Sequence, residues 1–267
     1  MPITGAPGRS VTSKALAILE AFEALGSPLS LSQIAEATSL PLSTCHRLVG
    51  ELCEWGAVDR DGNGRYHVGL RLWEVAQNGG RRLRETARPF LQDLFALTDA
   101  TAHVAIREGN EALYIDRVYS SRRIPRTSRV GGRLPLHATA VGKVLLAHEE
   151  AWLQEAYVNR SLEAPTRWTH VNPQQLLEEL GRIREQGYAT TLEEVRAGSC
   201  SIAVPVLREE GLAEAAVGIV MLSTHATHMK RHLPALQGTA HRIEAAVSRY
   251  PRSVPAVAAH LRRTSTT

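Results

Sequence analysis

The first part of the chain carries apolar residues at the three-to-four-residue spacing of short helices. One such stripe predicts a helix over residues 12–25, which ends at Gly26. Ser30 then stands three residues before Gln33, which is the spacing of a capping box and predicts the start of a second short helix. Pro41 breaks this helix, because proline disfavours helical geometry in the residue before it.

A third helix is predicted in the stretch LPLSTCHRLVGELCEWGAV, residues 40–58. Its apolar side chains fall within one arc of a helical wheel, formed by Cys45, Leu48, Val49, Leu52 and Trp55. The opposite arc carries its polar donors in the first two turns, and Gly50 beside them allows a close approach. A helix that enters the major groove of DNA by its N-terminal end has this distribution. The predicted DNA contacts of this helix are Ser43, Thr44, His46 and Arg47.

A tight-turn signal follows the third helix. The sequence DGNG, residues 61–64, lies between Val58 and the mostly apolar residues 66–68, which predicts a β-hairpin. Three helices followed by a hairpin form a winged helix-turn-helix. Arg60 and Arg65 flank the tip of the hairpin, where a wing meets phosphates or the minor groove.

Net charge supports DNA binding less than the placement of the cations does. The chain has a formal net charge of +4 and a pI of about 9.2, which suggests a polyanionic partner. Up to Gly80, however, acidic residues outnumber lysine and arginine. A short three-helix unit can also be a protein-interaction module, which would show no salt-dependent affinity for DNA. The DNA-binding prediction therefore depends on where Arg47 and the wing arginines stand.

The second half of the chain mixes strand and helix patterns. The sequence AHVAIREGNEALYIDRV alternates and turns at Gly109-Asn110 like a hairpin, and CSIAVPVL and AAVGIVML have the composition of buried strands. Helices are predicted near residues 139–147, 149–158 and 173–186, and after Pro234 to about residue 249. This order predicts an α/β (α+β) domain with a mostly antiparallel sheet.

A break at residues 78–80 separates the two halves. The helical pattern resumes after it, with Pro89 at a helix start or kink. The predicted organisation is a winged helix-turn-helix domain over residues 1–76, a linker helix over 77–90, an α/β domain over 91–250 and a polar tail over 251–267.

Cysteine usage and hydropathy restrict where the protein works. Three cysteines without a C-x-x-C pair indicate neither a disulfide framework nor a zinc ribbon. The N-terminus has no apolar signal segment, and no stretch approaches the ~18 apolar residues of a membrane span. These features predict a cytoplasmic protein that does not bind membranes.

Candidate catalytic and metal-binding patterns are incomplete. In HATAVGK, His137 stands where a nucleotide-binding loop needs its first glycine, and Val144 stands where it needs serine or threonine. Cys200 and Ser201 look like a nucleophile pair but have no G-x-S-x-G turn. Three histidines near one another lack an acid or cysteine to complete a metal site: His225, His228 and His232. We therefore predict no catalytic residue, no metal site and no cofactor.

The sequence SSRRIPRTSRVGGR is the densest cationic run. Its arginines are Arg122, Arg123, Arg126, Arg129 and Arg133. Such a run is usually a solvated hairpin. Contact with a neighbouring subunit and attraction of an anionic ligand are alternatives.

Long stretches of the chain resemble the IclR family of bacterial transcriptional regulators. In the N-terminal part these are SKALAILEAF and LSLSQIAEATSLPLSTCHRLVGELCEWGAVDRDGNGRYHVGLRLWEVA. In the C-terminal part they are GGRLPLHATAVGKVLLA, LLEELGRIREQGYATTLEEVRAGSCSIAVPV and IVMLSTHA. The resemblance implies a homodimer or homotetramer that binds double-stranded operator DNA and has a GAF-like C-terminal domain for a small-molecule effector.

The same resemblance implies which residues form the effector site. They are Leu134, Ala140, Val141, Gly142, Thr191, Ser201, Met221 and Ser223. Backbone amides at a helix start near Ala140 suit an anionic or polar ligand, and packing is an alternative reason for Gly142. The family's best-known organic-acid binder has a carboxylate, a cysteine and a serine in place of Thr191, Ser201 and Met221. A larger or more apolar effector, such as an aromatic acid, is therefore expected here.

Together these observations predict a ligand-controlled transcriptional regulator and not an enzyme. The alternative is a metal-binding sensor or an enzyme with an appended helix-turn-helix. That alternative requires a complete catalytic or metal-binding set of residues.

Overall fold

The computed structural model describes residues 10–76, 81–119, 129–208 and 211–248. The boundary between two compact units falls between Arg81 and Arg82. Three groups of predicted features lie outside the described residues: the break at 78–80, the arginines Arg122, Arg123 and Arg126, and the tail 251–267.

The first unit begins with three helices that lie close to their predicted positions. Their bounds are Val11–Leu25 (α1), Leu31–Thr38 (α2) and Leu42–Trp55 (α3). Both hydrogen bonds of the predicted capping box are present between Ser30 and Gln33. Gly56 ends α3 in the left-handed conformation, at φ 84°, which glycine adopts without steric cost.

A two-stranded hairpin and a short helix complete the first unit. The strands Val58–Arg60 (β1) and Tyr66–Val68 (β2) pair antiparallel, and Leu70–Ala76 (α4) follows them. The carboxylate of Asp61 accepts hydrogen bonds from two backbone N–H groups of the turn. The core between helices and hairpin includes Ile18, Ile34, Leu48, Val58 and Tyr66. The predicted winged helix-turn-helix is confirmed.

The second unit is built on one antiparallel sheet, which has six strands within the described residues. The strands are Thr101–Glu108 (β3), Glu111–Val118 (β4), Arg133–Pro135 (β5), Ala189–Leu192 (β6), Ser199–Leu207 (β7) and Ala213–Leu222 (β8). Their order across the sheet is β5-β4-β3-β8-β7-β6. The predicted mixture of helices with an antiparallel sheet is confirmed.

Helices cover both faces of this sheet. Their bounds are Arg81–Thr98 (α5), Ala140–Ala147 (α6), Ala151–Val158 (α7), Pro173–Gln186 (α8) and Leu233–Ser248 (α9). The helices α5 and α9 pack on one face, to which Ile202 and Val204 of β7 belong. The helices α6, α7 and α8 pack on the other face, to which Ala203 and Ala216 belong. Because successive strand residues point to opposite faces, each strand position contributes to one layer only.

An ion pair as well as apolar contacts anchors α5 to the sheet. Arg88 Nη1 lies 2.9 and 3.1 Å from the two carboxylate oxygens of Asp116, whose side chain is 1% exposed. Arg84 Nε lies 3.8 Å from the same carboxylate. Pro89 lies inside this helix, which continues to Thr98. From residue 82 onward, the predicted linker is therefore the first part of a longer helix that belongs to the second unit.

Candidate DNA interface and ligand cavity

The leading end of α3 is open to solvent. Ser43, His46 and Arg47 are exposed, and Thr44 is half-buried. Four residues of the apolar arc of the same helix belong to the core of the first unit or pack against it, namely Cys45, Leu48, Val49 and Leu52. The fifth, Trp55, is 44% exposed, in contrast to the prediction. The helix therefore presents the predicted polar residues outward, as a DNA-reading helix must.

Arg47 is paired with an acidic side chain one turn further along α3. It forms an ion pair with Glu51, and the two side chains remain 57% and 55% exposed. An exposed pair at this spacing contributes only about 0.5 kcal/mol or less to stability. The guanidinium can therefore leave Glu51 for a guanine edge or a phosphate at small cost. A Cβ at Gly50 would meet nothing within 4 Å, so the surface beside Arg47 admits a close approach.

The two wing arginines lie on either side of the hairpin turn. Arg60 and Arg65 are both exposed. The guanidinium carbon of Arg60 lies 5.5 Å from the centre of the Tyr66 ring, which is itself buried. This contact holds one wing cation near a fixed point of the core. Such a cation is suited to a backbone phosphate.

A cavity opens on the α6 side of the sheet in the second unit. Its space is about 430 Å³, of which part is open solvent. Five predicted effector residues line it, namely Leu134, Ala140, Val141, Thr191 and Ser201. The other lining residues are His103, Tyr114, Thr139, Glu194, Val195, Ser199 and Val220. The fold thus brings residues from all six of these strands and one helix start to one place.

The start of α6 offers backbone donors to this cavity. The N–H groups of Ala140 and Val141 lie in the first helical turn, where a helix has no internal acceptor for them. Both residues line the cavity. The positive end of the helix dipole favours an anionic group at the same place.

Gly142 has a packing role. A Cβ at this position would lie 2.4 Å from the carbonyl oxygen of Leu136, which is far closer than atoms approach in proteins. Its N–H donates to Thr139 Oγ1 at 3.0 Å as part of the N-cap of α6. Gly142 therefore fits the packing explanation and is not among the residues that line the cavity.

The structure places two further predicted effector residues away from the cavity. Met221 is buried in the core on the α9 side of the sheet. It pairs across the strands with Cys200, whereas Ser201 pairs with Val220. Residues directly opposite in antiparallel strands share a face, so Val220 and not Met221 accompanies Ser201. Ser223 follows β8 at the start of a 3-10 helix and does not line the cavity.

Two ring side chains that sequence reasoning missed form part of the cavity wall. His103 is 2% exposed and lies in β3 within the run AHVAI. Burial and the nearby Arg117 lower the pKa of His103 to about 3, so its imidazole is neutral at ordinary pH. Burial raises the pKa of Tyr114 far above its usual range, so its phenol remains protonated. One sequence signal could have identified His103, namely a histidine inside an otherwise apolar predicted strand.

Glu194 connects the cavity to a buried charge cluster. Nζ of the fully buried Lys143 lies 2.7 Å from Glu179 Oε1 and 2.8 Å from Glu194 Oε2. Burial raises the pKa of Glu194 despite the attraction of Lys143. Burial acts in the same direction on Glu179, but Lys143 and a hydrogen bond from His170 hold the pKa of that carboxyl below its usual value. The lysine of HATAVGK is therefore a core ion-pair partner.

The candidate metal ligands are arranged differently from the histidine pattern in the sequence. His225, His228 and His232 lie on a 3-10 helix, and the third of them is buried. Within the described ranges, the group with metal-ligand spacing is His170, Glu179 and Glu194. The ammonium of Lys143 already supplies positive charge to both carboxylates of that group.

The fold and these two sites define a class of protein. A winged helix-turn-helix that presents its third helix, joined in one chain to an α+β unit with a polar cavity, is the architecture of a ligand-responsive DNA-binding regulator. The IclR helix-turn-helix domain matches residues 11–62, and the C-terminal domain of the bacterial transcriptional regulator IclR matches residues 77–245. The chain belongs to the IclR family of transcriptional regulators.

Individual relatives cover most of the chain. It is 35% identical over 219 residues to the HTH-type transcriptional regulator XynR of Escherichia coli, covering 79% of this chain and 85% of that one. It is 36% identical over 220 residues to the HTH-type transcriptional repressor AllR of Salmonella typhi, covering 81% of each chain. An IclR homologue from Microbacterium hydrocarbonoxydans, solved in complex with 4-hydroxybenzoate, superposes with a TM-score of 0.85 at 29% identity, covering 90% of this chain and 100% of that one.

Proposed function

We propose that this regulator contacts operator DNA through the leading end of α3 and the wing, and that an effector in the cavity controls this binding. The outward placement of the polar arc of α3 carries the DNA part of the proposal. The proposed contacts are Ser43, Thr44, His46 and Arg47 on α3, with Arg60 and Arg65 on the wing.

The chemistry of the cavity supports an organic acid as effector. The amides of Ala140 and Val141 suit a carboxylate, and Leu134 supplies an apolar wall. The hydroxyls of Thr191 and Ser201, which are hydrogen-bonded to each other, can turn to a polar ligand. Because Met221 lies on the other face of the sheet, it gives no reason to expect a more apolar ligand.

Control by the effector needs a difference in its affinity for two arrangements of the protein. A coupling free energy of about 1–3 kcal/mol is enough to change operator affinity several-fold or more. A ligand that binds both arrangements equally shifts nothing.

The proposed working state is a homodimer or a homotetramer. The helix α4 of the first unit exposes large apolar side chains: Leu70 is 74% exposed, Trp73 63% and Val75 53%. Apolar surface of this kind is a common site of association between subunits. Two DNA-binding units related by a two-fold axis would read two half-sites about one helical turn apart.

The proposed role is regulation in the cytoplasm without catalysis. Cys200 of the apparent nucleophile pair lies on the face of the sheet opposite the cavity, and its Sγ contacts the carbonyl of Leu222. Ser201 has the hydroxyl of Thr191, not a histidine, as its partner. Among the described residues, no helix combines the length and the apolarity needed to cross a bilayer. We propose the cytoplasm as its location because the protein must reach operator DNA.

Footprinting on the DNA upstream of its own gene tests the proposed function. We expect a protected, roughly palindromic site whose affinity falls as salt rises, because phosphate neutralisation releases counterions. We also expect at least one organic acid to change the protection. Affinity for DNA that is absent, or that does not depend on salt, would support a protein-interaction module.

A pair of substitutions tests which side chains belong to the cavity. Thr191→Asp should weaken binding of the acid that changes the footprint by about tenfold or more, because it places a second carboxylate near Glu194. Met221→Ser should leave that affinity unchanged and lower the melting temperature, because it removes a buried core side chain. Calorimetry and thermal unfolding measure the two effects. Unchanged affinity in Thr191→Asp removes this residue from the site.

A further inference from the structure

His103 stands out among the cavity residues because one of its ring nitrogens lacks a partner. The side chain lines the cavity and is 2% exposed. Its Nδ1 has no hydrogen bond to any part of the chain that the structure describes. Buried polar atoms in folded proteins are almost always paired, so an unpaired one beside a cavity indicates a ligand group that pairs with it.

The imidazole is held in place by its surroundings. Its ring centre lies 5.1 Å from that of Tyr114, with the two planes tilted by 52°. On the other side, a Cβ at Gly218 would come within 2.9 Å of Nε2, so only glycine leaves room for the ring. His103 is therefore set in position before any ligand arrives, which reduces the entropic cost of binding.

The charges around the cavity limit what the ligand can carry. Among the described lining residues Glu194 is the one with a carboxyl group. The neighbouring ammonium of Lys143 is fully buried and is shared between Glu194 and Glu179. One negative charge on the ligand can bind the backbone amides at the start of α6. A second negative charge would face Glu194 without a lining cation to offset it.

A neutral imidazole offers one donor and one acceptor, and which nitrogen carries the proton depends on its partner. A hydroxyl both donates and accepts, so it can pair with either tautomer. A carboxylate accepts only, and a C–H group does neither. Tyr114 and Ser199 line the same cavity, and the Ser199 hydroxyl donates to the carbonyl of Arg196.

We infer that His103 is a specificity-determining residue for the effector, which is a hydroxylated monocarboxylic acid whose carboxylate binds the start of α6 and whose hydroxyl pairs with the imidazole. This inference rests on the proposed effector role of the cavity. It differs from the expectation of a merely larger or more apolar acid, because it requires a hydrogen-bonding group at a particular residue.

Two matched series of acids test the inference by calorimetry on the full chain. The aromatic series is 4-hydroxybenzoate, benzoate and terephthalate, and the small series is lactate, propionate and methylmalonate. Each series keeps one carboxylate and replaces a hydroxyl with hydrogen or with a second carboxylate. In a series that binds, we expect the hydroxy acid to bind about tenfold more tightly than its deoxy counterpart. The deoxy acid cannot form the hydrogen bond to the buried imidazole, and loss of one such bond has about this effect. The diacid should bind more weakly still.

Two substitutions then assign the preference to His103. His103→Phe keeps a ring of similar size, so it should remove the preference for the hydroxy acid while the deoxy acid keeps its affinity. His103→Asn keeps a polar group near the position of Nδ1 and should retain part of the preference. Melting temperatures confirm that each variant folds.

The outcomes separate this inference from the proposed function. Equal affinity for hydroxy and deoxy acids in the native chain, tighter binding of a diacid, or an undiminished preference in His103→Phe overturns the role of His103 and leaves the effector site in place. If none of the six acids binds or changes operator affinity, both the inference and an organic-acid effector are wrong.

Discussion

Arg47→Ala should abolish specific operator binding in a gel shift while leaving the melting temperature of the protein unchanged. A guanidinium that reads a guanine edge is worth about 1–3 kcal/mol of discrimination. The proposed dimer would lose this contact twice, so we expect specific affinity to fall by at least about 30-fold. The folded state loses only the exposed pair with Glu51, which contributes little to stability.

Two control variants separate this contact from a general effect of charge. Arg182→Ala removes an exposed arginine of α8 in the second unit and should leave operator affinity unchanged. Glu51→Gln releases Arg47 from its ion pair and should preserve or increase affinity. If Arg47→Ala binds the operator as tightly as the native chain, α3 does not enter the groove by its leading end.

The first unit was predictable from sequence because its signals are local. The capping box of Ser30 and Gln33, the apolar arc of α3 and the turn at residues 61–64 each depend on residues within one or two turns of each other. Local propensity and the tertiary core agree at these positions. The exposure of Arg47 followed from the same helical wheel.

The cavity was harder to predict because it depends on pairing between distant strands. The resemblance placed Ser201 and Met221 together, but the register pairs Met221 with Cys200 and so turns it to the opposite face. A difference of one position in a strand reverses the side that a residue faces. The register between two strands cannot be predicted from the residue pattern within either strand.

His103 and Tyr114 were missed for a related reason. A bulge between Val104 and Ala105 shifts the pairing of β3 with β4, so that Tyr114 lies opposite Ala105 and joins the cavity layer. Simple alternation along either strand does not reveal such a shift. A buried histidine in AHVAI was visible in the sequence, but what it faces depends on the neighbouring strands.

Lys143→Met should destabilise the second unit by about 3–5 kcal/mol, the usual cost of removing one partner from a buried ion pair. The lysine side chain is 0% exposed, and its loss leaves Glu194, which is 4% exposed, without a cation. His170 pairs with Glu179, at 2.8 Å between Nδ1 and Oε2, and does not replace the ammonium beside Glu194. Thermal and denaturant unfolding measure the loss. Lys230→Met is the control: this lysine is exposed, its ammonium lies 5.4 Å from the centre of the Tyr188 ring, and the substitution should change stability by no more than about 1 kcal/mol.

The pH dependence of this loss identifies the uncompensated carboxyl as its cause. Burial already raises the pKa of Glu194, and removal of Lys143 should raise it further. A carboxyl whose pKa is higher in the folded state stabilises the fold most below its unfolded pKa and loses that contribution as pH rises through the folded value. The difference in melting temperature between the native chain and Lys143→Met should therefore widen as the pH rises above the ordinary range of a carboxyl group. Lys143→Met with Glu194→Gln removes the unpaired charge and should recover much of the stability. If Lys143→Met alone is as stable as the native chain at every pH, the ion pair does not hold α6 in the core.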